Sequence, residues 1–300
     1  FLPPLAALAQ GPTTFTGDAA AAGRPVAPLL AALATLGARV SEPYRLPFQL
    51  SGGPRFAGGS VGLDASGSSQ FVSALLLAGP RFADGVEVRH TGSGLPSAPH
   101  IEMTCTLLRR RGVQVTRTAE ARWRVEPGPV AALDEAVEPD LTNAATILAA
   151  ALVTGGRLTT AWPADSVQPA DQLAAALAAF GAELHYAGTP AGRELTVSAR
   201  DGVRGADVDL HEISEFTPVA AALAAVADRP SRIRGVGHIR GHETDRLAAL
   251  VAELSGLGVG ASETEDGLAT RGVTLDDVGC TTKPLPDFPG LWQGLLETRR

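Results

Sequence analysis

Residues 63–71 read LDASGSSQF and residues 208–216 read VDLHEISEF. Both stretches place a polar side chain six residues after an aspartate, and PDLTNAATI at 139–147 repeats the spacing. The pairs are Asp64 with Gln70, Asp140 with Thr146, and Asp209 with Glu215. We expect each stretch to join a strand to a helix and to place the later residue in the first helical turn. Free backbone N–H groups and the positive end of the helix dipole collect there, so the position suits an anionic ligand.

The three copies differ in the residues just before the marked position. Ser68 and Ser69 precede Gln70, whereas two alanines precede Thr146. We therefore interpret the copies at Gln70 and Glu215 as candidate ligand sites and the copy at Thr146 as structural.

Outward from these stretches, one unit repeats along the whole chain. Each unit predicts an Ala/Leu-rich helix, a short β-branched strand, a polar turn and a second amphipathic helix that ends at a glycine. The terminating glycines, which are 75, 69 and 77 residues apart, are Gly37, Gly112, Gly181 and Gly258. A unit of this length is too long for a solenoid repeat and fits a βαβαββ arrangement, which predicts an α/β fold.

The second helix of each unit begins after a polar or cationic residue. These residues are Arg24, Ser97, Gln168, His242 and Lys283. Each has an ordinary explanation as a cap, a surface turn or a structural histidine. Five such groups at one repeated position nevertheless favour a shared anion site.

Composition limits the function further. The chain has 25 Lys and Arg residues against 32 Asp and Glu, a formal net charge of −7, which argues against a nucleic-acid partner. No apolar run approaches the roughly 18 residues of a membrane span. Two cysteines cannot form a disulfide framework and fit a reducing compartment, which we expect to be the cytoplasm.

Lys283 is the only lysine. It either supplies a compact ammonium group to a ligand or survives from codon drift toward arginine.

The last unit departs from the plan. After Gly258 the chain runs through the hairpin-like ASETEDGLATRG at 261–272 and reaches Val273 without a first helix. We expect a helix-bearing segment to be absent between about Leu268 and Val273. We likewise interpret the apolar start at Phe1 as a chain entered inside a first helix.

Five stretches carry a resemblance to a known family: DASGSSQFVSALLLAG (64–79), GLPSAPHIEMT (94–104), SEFTPVAAALAAVA (214–227), GHIRGHETDRLAAL (237–250) and CTTKPLPDFP (280–289). In this order and spacing they resemble the 5-enolpyruvylshikimate-3-phosphate (EPSP) synthase family, most closely its actinobacterial form. The resemblance implies a two-domain inside-out α/β barrel of repeated βαβαββ units. Residues 1–137 would be the remainder of the first domain and residues 138–300 the second.

The resemblance also implies an activity. Members of this family transfer the enolpyruvyl group of phosphoenolpyruvate to the 5-hydroxyl of shikimate 3-phosphate by addition and elimination. We therefore expect these two small molecules as partners, with no metal, cofactor, nucleic acid or membrane, in a monomer. Motifs of the family's first unit and its Asp-His-Arg-Met-Ala helix are not found, which we interpret as a fragment that is inactive alone.

The resemblance assigns roles to particular residues. Glu215 would be the base on the 5-hydroxyl, Glu243 would exchange the proton at C3, and His242 stands where many members have lysine. The shikimate 3-phosphate ligands would be Ser68, Ser69, Gln70, Ser97, Glu215 and His242. The phosphoenolpyruvate ligands would be Arg24, Gln70, Arg246 and Lys283. A simple helix-surface ion pair between Glu243 and Arg246 is the alternative for those two residues.

Two other functions stay open at this point. One is the related enolpyruvyl transferase that acts on UDP-N-acetylglucosamine, which uses a reactive cysteine. Cys105 lies in the apolar MTCTLL stretch and reads as core, and Cys280 precedes the shikimate-type TTK. The other is a noncatalytic module that binds shikimate 3-phosphate.

Overall fold

The computed structural model describes residues 1–189, 192–199, 202–241 and 244–271. The predictions for His242, Glu243, Cys280 and Lys283 therefore lie outside the described residues. No described helix combines the length and hydrophobicity that crossing a bilayer requires.

The first unit forms a small antiparallel sheet beneath short helices. Its elements are α1 (Leu2–Ala6), β1 (Thr13–Phe15), α2 (Ala19–Ala22), α3 (Ala27–Thr35), β2 (Arg39–Val40) and β3 (Phe48–Ser51). The strands lie in the order β1-β3-β2.

The second unit is a complete βαβαββ arrangement. Its elements are β4 (Gly59–Leu63), α4 (Gln70–Ala78), β5 (Val86–His90), α5 (Ala98–Arg110), β6 (Val115–Ala119) and β7 (Arg122–Val125). The sheet order is β4-β5-β7-β6, with β4 and β5 parallel and the other neighbours antiparallel. Because β4 and β5 are parallel, the starts of α4 and α5 lie at one edge of this sheet.

The third unit has no leading strand. Its elements are α6 (Leu141–Thr154), β8 (Arg157–Ala161), α7 (Ala170–Ala179), β9 (Ala182–Thr189) and β10 (Gly192–Ala199), with sheet order β8-β10-β9. Residues 126–140 contain no helix or strand, so the strand expected before Asp140 is wrong. Asp140 itself caps α6, because its carboxylate accepts the Asn143 backbone N–H at 3.0 Å. Thr146 consequently lies in the second turn of α6 and not in the first.

The fourth unit repeats the topology of the second. Its elements are β11 (Asp207–Asp209), a 3₁₀ turn (Ser214–Phe216), α8 (Thr217–Ala225), β12 (Ser231–Arg234), a 3₁₀ segment (Gly237–Gly241), α9 (Arg246–Gly256), β13 (Ala261–Glu263) and β14 (Leu268–Thr270). The sheet order is β11-β12-β14-β13, again with one parallel pair, β11 and β12. The hairpin expected within 261–272 is confirmed as β13 and β14. The segment expected to be absent near Val273 lies outside the described residues.

The glycines predicted to end the second helices all adopt the left-handed conformation. Gly37, Gly112, Gly181 and Gly258 have φ values of +101°, +77°, +101° and +86°. A residue with a Cβ rarely adopts this backbone conformation, so glycine is favoured directly after these helices. The repeat read from their spacing is confirmed.

Within the part of the chain that the structure describes, buried apolar residues form two clusters. One extends from Ala7 to Val125 and includes Trp123; the other extends from Leu141 to Leu268 and includes Trp162. The proposed domain division at 137/138 lies in the segment between them and stays a prediction.

Candidate functional site

The turns after two strands, β4 and β11, have the same construction, and each leads the chain toward a helix. The Asp64 carboxylate at the end of β4 accepts the Ser66 backbone N–H at 2.9 Å, and the Asp209 carboxylate at the end of β11 accepts that of His211 at 2.9 Å. Gly92 packs against Asp64 and Gly235 packs against Asp209. A Cβ on either glycine would collide with the aspartate carboxylate, so glycine leaves room for each turn. These two turns precede the candidate ligand positions, whereas Asp140 caps its helix directly.

The first turn leads to the serine pair at the start of α4. Ser69 is the N-cap residue, is buried, and makes no side-chain capping bond. The Ser68 hydroxyl accepts the Gln70 backbone N–H at 3.3 Å, and the Gln70 side chain is exposed. Hydroxyl donors thus lie at the positive end of a helix, which suits an anionic group.

Ser97 holds the corresponding place before α5. It is the N-cap residue, with a left-handed φ of +51° and a side chain that does not cap the helix. A hydrogen bond from Thr104 to Ser73 of 3.1 Å joins α5 to α4. Ser97 and the Ser68–Gln70 segment therefore lie at the same edge of the second unit's sheet.

The second turn leads to Glu215, in the 3₁₀ turn before α8. The Arg246 guanidinium donates to the Glu215 carboxylate at 2.9 Å, and Arg246 is the first residue of α9. Asp245 caps α9 by accepting the Ala248 backbone N–H at 3.0 Å. The sequence alternative paired Arg246 with Glu243, which lies outside the described residues. Glu215 is a partner of Arg246 among the described residues.

The edge of the second unit's sheet and the Glu215 turn of the fourth unit meet at a pair of serines. The Ser97 and Ser214 hydroxyl oxygens are 3.2 Å apart, both buried, although the residues are 117 positions apart. Ser214 immediately precedes Glu215. The candidate phosphate ligand of the first half of the chain therefore lies against the turn that carries the candidate base.

His100 belongs to this site and was missed from the sequence. It lies in the first turn of α5, and its backbone N–H donates to the Ser97 carbonyl at 3.0 Å. Burial lowers the pKa of His100, and the nearby Glu215 carboxylate partly opposes the shift. Its place inside the quoted GLPSAPHIEMT stretch, three residues after Ser97, was the available signal.

A cleft of about 1530 Å³ opens beside these residues. Its lining includes His100 and Met103 of α5, Asn143 of α6, and Glu215. Gln168 and Thr146 also line it. The candidate ligands that do not line it are Arg24, Ser68, Ser69, Gln70, Ser97 and Arg246. Arg24 is exposed three residues before α3.

Gln168 shows the structural use of the repeated position. Its side chain accepts the Leu141 backbone N–H at 2.8 Å and donates to the Pro139 carbonyl at 2.7 Å. Gln168 therefore holds the start of α6 in place. Within the described ranges, no three His, Cys, Asp or Glu side chains converge as a metal site would require.

Solved structures of other proteins share this fold. An EPSP synthase from Acinetobacter baumannii superposes with a TM-score of 0.67 at 22% identity, over 90% of this chain and 62% of that one. The enolpyruvyl transferase NikO from Streptomyces tendae superposes with a TM-score of 0.63 at 19% identity, over 88% of this chain and 60% of that one. At these identities the likeness concerns the fold, and it confirms the α/β enolpyruvyl transferase architecture. The chain spans less than two thirds of either structure.

The sequence comparisons go further. A 3-phosphoshikimate 1-carboxyvinyltransferase from Mycobacterium ulcerans (strain Agy99) is 46% identical over 329 residues, which cover 99% of this chain and 75% of that protein. The matched region is longer than this 300-residue chain, so the relative has residues within it that this chain lacks. A family model described as EPSP synthase (3-phosphoshikimate 1-carboxyvinyltransferase) matches residues 1–287. The chain belongs to the EPSP synthase family of transferases.

Proposed function

We propose that the protein transfers the enolpyruvyl group of phosphoenolpyruvate to the 5-hydroxyl of shikimate 3-phosphate, with release of phosphate. The observation that carries this proposal is the contact of Ser97 with Ser214. It places hydroxyl donors suited to a phosphate dianion beside a carboxylate and a guanidinium on the facing half of the chain.

The proposed donors for shikimate 3-phosphate come mainly from one sheet edge. Ser68, Ser69 and Ser97 supply hydroxyl groups at helix starts, and Gln70 reaches both substrates. On the facing half, Glu215 and His242 complete this set. Phosphoenolpyruvate is bound by Arg24, Arg246 and Lys283, whose charges match its carboxylate and phosphate.

In the proposed addition step the 5-hydroxyl oxygen attacks C2 of phosphoenolpyruvate. Glu215 accepts the hydroxyl proton while Glu243 delivers a proton to C3, which gives a tetrahedral ketal. In the elimination step Glu243 takes a proton back from C3, the C2–C3 double bond re-forms, and the C2–O bond to phosphate breaks. Cations around the phosphate stabilise the charge that it gains as it leaves.

The ion pair between Arg246 and Glu215 has a role in this scheme. Phosphoenolpyruvate competes for the guanidinium, so its arrival weakens the hold of Arg246 on the carboxylate. Binding of the second substrate would thereby release the Glu215 carboxylate from its contact with Arg246.

Replacement of Glu215 by Gln tests the proposed base. The amide retains the shape of the side chain but cannot accept the 5-hydroxyl proton. We expect kcat to fall about a hundredfold or more, with binding of both substrates largely retained. Steady-state kinetics and calorimetry of the full-length protein measure the two quantities.

Glu212→Gln is the matched control, because Glu212 lies three residues before Glu215 and accepts a hydrogen bond from Gln172 at 3.0 Å. We expect near-normal turnover from it. A near-normal rate in Glu215→Gln would contradict the assignment and move the base to His242.

Among the described residues, Cys105 does not suit the reactive cysteine that the related enzyme acting on UDP-N-acetylglucosamine uses; Cys280 lies outside them. Cys105 is completely buried in α5, and burial raises the pKa of its thiol to about 11. A thiol of this kind is protonated at neutral pH and has no access to substrate.

We further propose a cytoplasmic monomer with domains at 1–137 and 138–300. One chain alone supplies Ser97 and Glu215 from its two halves, so this part of the site needs no second copy. Light scattering after gel filtration measures the mass in solution.

A further inference from the structure

Three hydrogen bonds cross from residues 95–97 to residues 211–214. The Ser97 backbone N–H donates to the His211 carbonyl at 2.9 Å, and the His211 imidazole Nε2 lies 3.1 Å from the Leu95 carbonyl. The third is the bond between the Ser97 and Ser214 hydroxyls at 3.2 Å. Together they hold the Ser97 loop of the first half against the Glu215 turn of the second.

Ser97 depends on these partners for its conformation. Its φ of +51° is uncommon for a residue with a side chain, and it is the only non-glycine residue with a positive φ among the described residues. Such conformations persist where surrounding contacts hold them, and they often mark functional positions. At Ser97 they include the His100 N–H bond to the Ser97 carbonyl within its own half and the bonds to His211 and Ser214 on the facing half.

The two hydroxyls differ in what each can offer a ligand. A serine hydroxyl has one proton to donate and lone pairs to accept with. A phosphate dianion only accepts hydrogen bonds. If Ser97 binds such a group, its single proton goes to the phosphate, and Ser97 can then only accept from Ser214.

We propose that Ser214 is a positioning residue for shikimate 3-phosphate: its hydroxyl donates to Ser97 and directs the Ser97 proton at the substrate phosphate. The inference rests on the proposed function, in which Ser97 contacts that phosphate. A hydroxyl that accepts one hydrogen bond becomes a stronger donor of another, so the chain Ser214–Ser97–phosphate is cooperative. Phosphate binding also strengthens the bond between the two halves, because it selects one direction for the Ser214–Ser97 bond.

Ser214→Ala tests the inference by calorimetric titration of the full-length protein. We expect the Kd for shikimate 3-phosphate to rise about fivefold, because one hydrogen bond of the chain is lost. The Kd for unphosphorylated shikimate should not change, since it has no phosphate to receive the Ser97 proton. Equal weakening of both ligands, or of neither, would overturn the inference.

Two further variants guard against a folding defect. Ser214→Thr keeps the hydroxyl and should restore the affinity for shikimate 3-phosphate. Ser214→Cys preserves the size but offers a weak donor, so it should resemble Ser214→Ala. If the threonine variant binds no better than the cysteine variant, the hydroxyl is not responsible and the inference fails.

Ser97→Ala separates this inference from the proposed function. If Ser97→Ala leaves binding of shikimate 3-phosphate unchanged, the proposed phosphate site is itself wrong. If Ser97→Ala weakens binding but Ser214→Ala does not, only the role of Ser214 fails. When both ideas hold, the double variant binds no more weakly than Ser97→Ala, because Ser214 acts through Ser97.

Discussion

At the scale of single residues, His100 carries a pH dependence that can be measured. Burial beside the cleft lowers its pKa below the ordinary value of 6.5. The unfolded chain therefore takes up a proton at His100 before the folded chain does as the pH falls. The free energy of unfolding consequently decreases as the pH drops through about 6.5 toward the folded pKa.

We expect His100→Gln to reduce this loss of stability. Urea unfolding at about pH 7.5 and about pH 5.5 gives the change in the free energy of unfolding for each variant. The decrease should be smaller in His100→Gln than in the unmodified protein. Replacement of the exposed His185 on β9 by Gln is the control. If His100→Gln loses as much stability as the unmodified protein, burial of this histidine does not control the pH response.

Single residues also show what sequence analysis can and cannot find. Gln70 and Glu215 were proposed as ligand positions because each follows its aspartate at a fixed spacing. Ser214 and His211 were missed because their importance comes from contacts with residues 97 and 95, and no local pattern encodes such pairs. Gln168 occupied the repeated position but holds a neighbouring helix start, so position alone does not define a role.

At the scale of elements, the start of α9 is the part of the site with the clearest local support. The Asp245 carboxylate accepts the Ala248 backbone N–H and pairs with the Arg240 guanidinium at 3.2 Å. The capping bond is the main reason that the pKa of Asp245 is lowered, and Arg240 adds to it. Because Arg246 is the next residue, the cap also fixes the backbone position from which the Arg246 side chain extends.

We expect Asp245→Ala to lower Tm and to raise KM for phosphoenolpyruvate, because the first turn of α9 loses its cap and Arg246 its placement. Asp245→Asn keeps an oxygen acceptor and should fall between Asp245→Ala and the unmodified protein in both quantities. Differential scanning calorimetry and steady-state kinetics provide the measurements.

Asp140→Ala is the matched control, since Asp140 caps α6 in the same way but precedes no proposed phosphoenolpyruvate ligand. It should lower Tm without changing KM. Equal effects of the alanine and asparagine variants at position 245 would attribute the result to the Arg240 ion pair instead of the cap.

Elements were predicted well where a local rule decides them. The left-handed glycines end their helices as expected, because this conformation depends on the residue itself. The strand expected before Asp140 was wrong because the aspartate has two uses. At Asp64 and Asp209 the carboxylate closes a turn after a strand, whereas at Asp140 it caps a helix directly. The spacing is the same in all three cases, so the sequence could not distinguish them.

At the scale of the whole molecule, two buried clusters are joined by the crossing hydrogen bonds near Ser97 and Ser214. The βαβαββ repeat predicted the number of residues in each unit. It did not predict that the first half and the second half touch at these serines, since the contact depends on how the units pack. Trp123 lies in the first cluster and Trp162 in the second, and both are buried.

Single-tryptophan variants can therefore report on each half separately. The chain has a third tryptophan, Trp292, which lies outside the described residues. Trp162→Phe combined with Trp292→Phe leaves Trp123, and Trp123→Phe combined with Trp292→Phe leaves Trp162. Most proposed donors to shikimate 3-phosphate lie in the first half. A ligand at a hundred times its Kd stabilises the folded state by about 2.7 kcal/mol. We expect the ligand to shift the urea midpoint reported by Trp123 further than that reported by Trp162, because the crossing bonds transmit only part of the stabilisation.

Identical midpoints and shifts from the two tryptophans would show one cooperative unit, and the proposed division at 137/138 would then not describe how the protein unfolds.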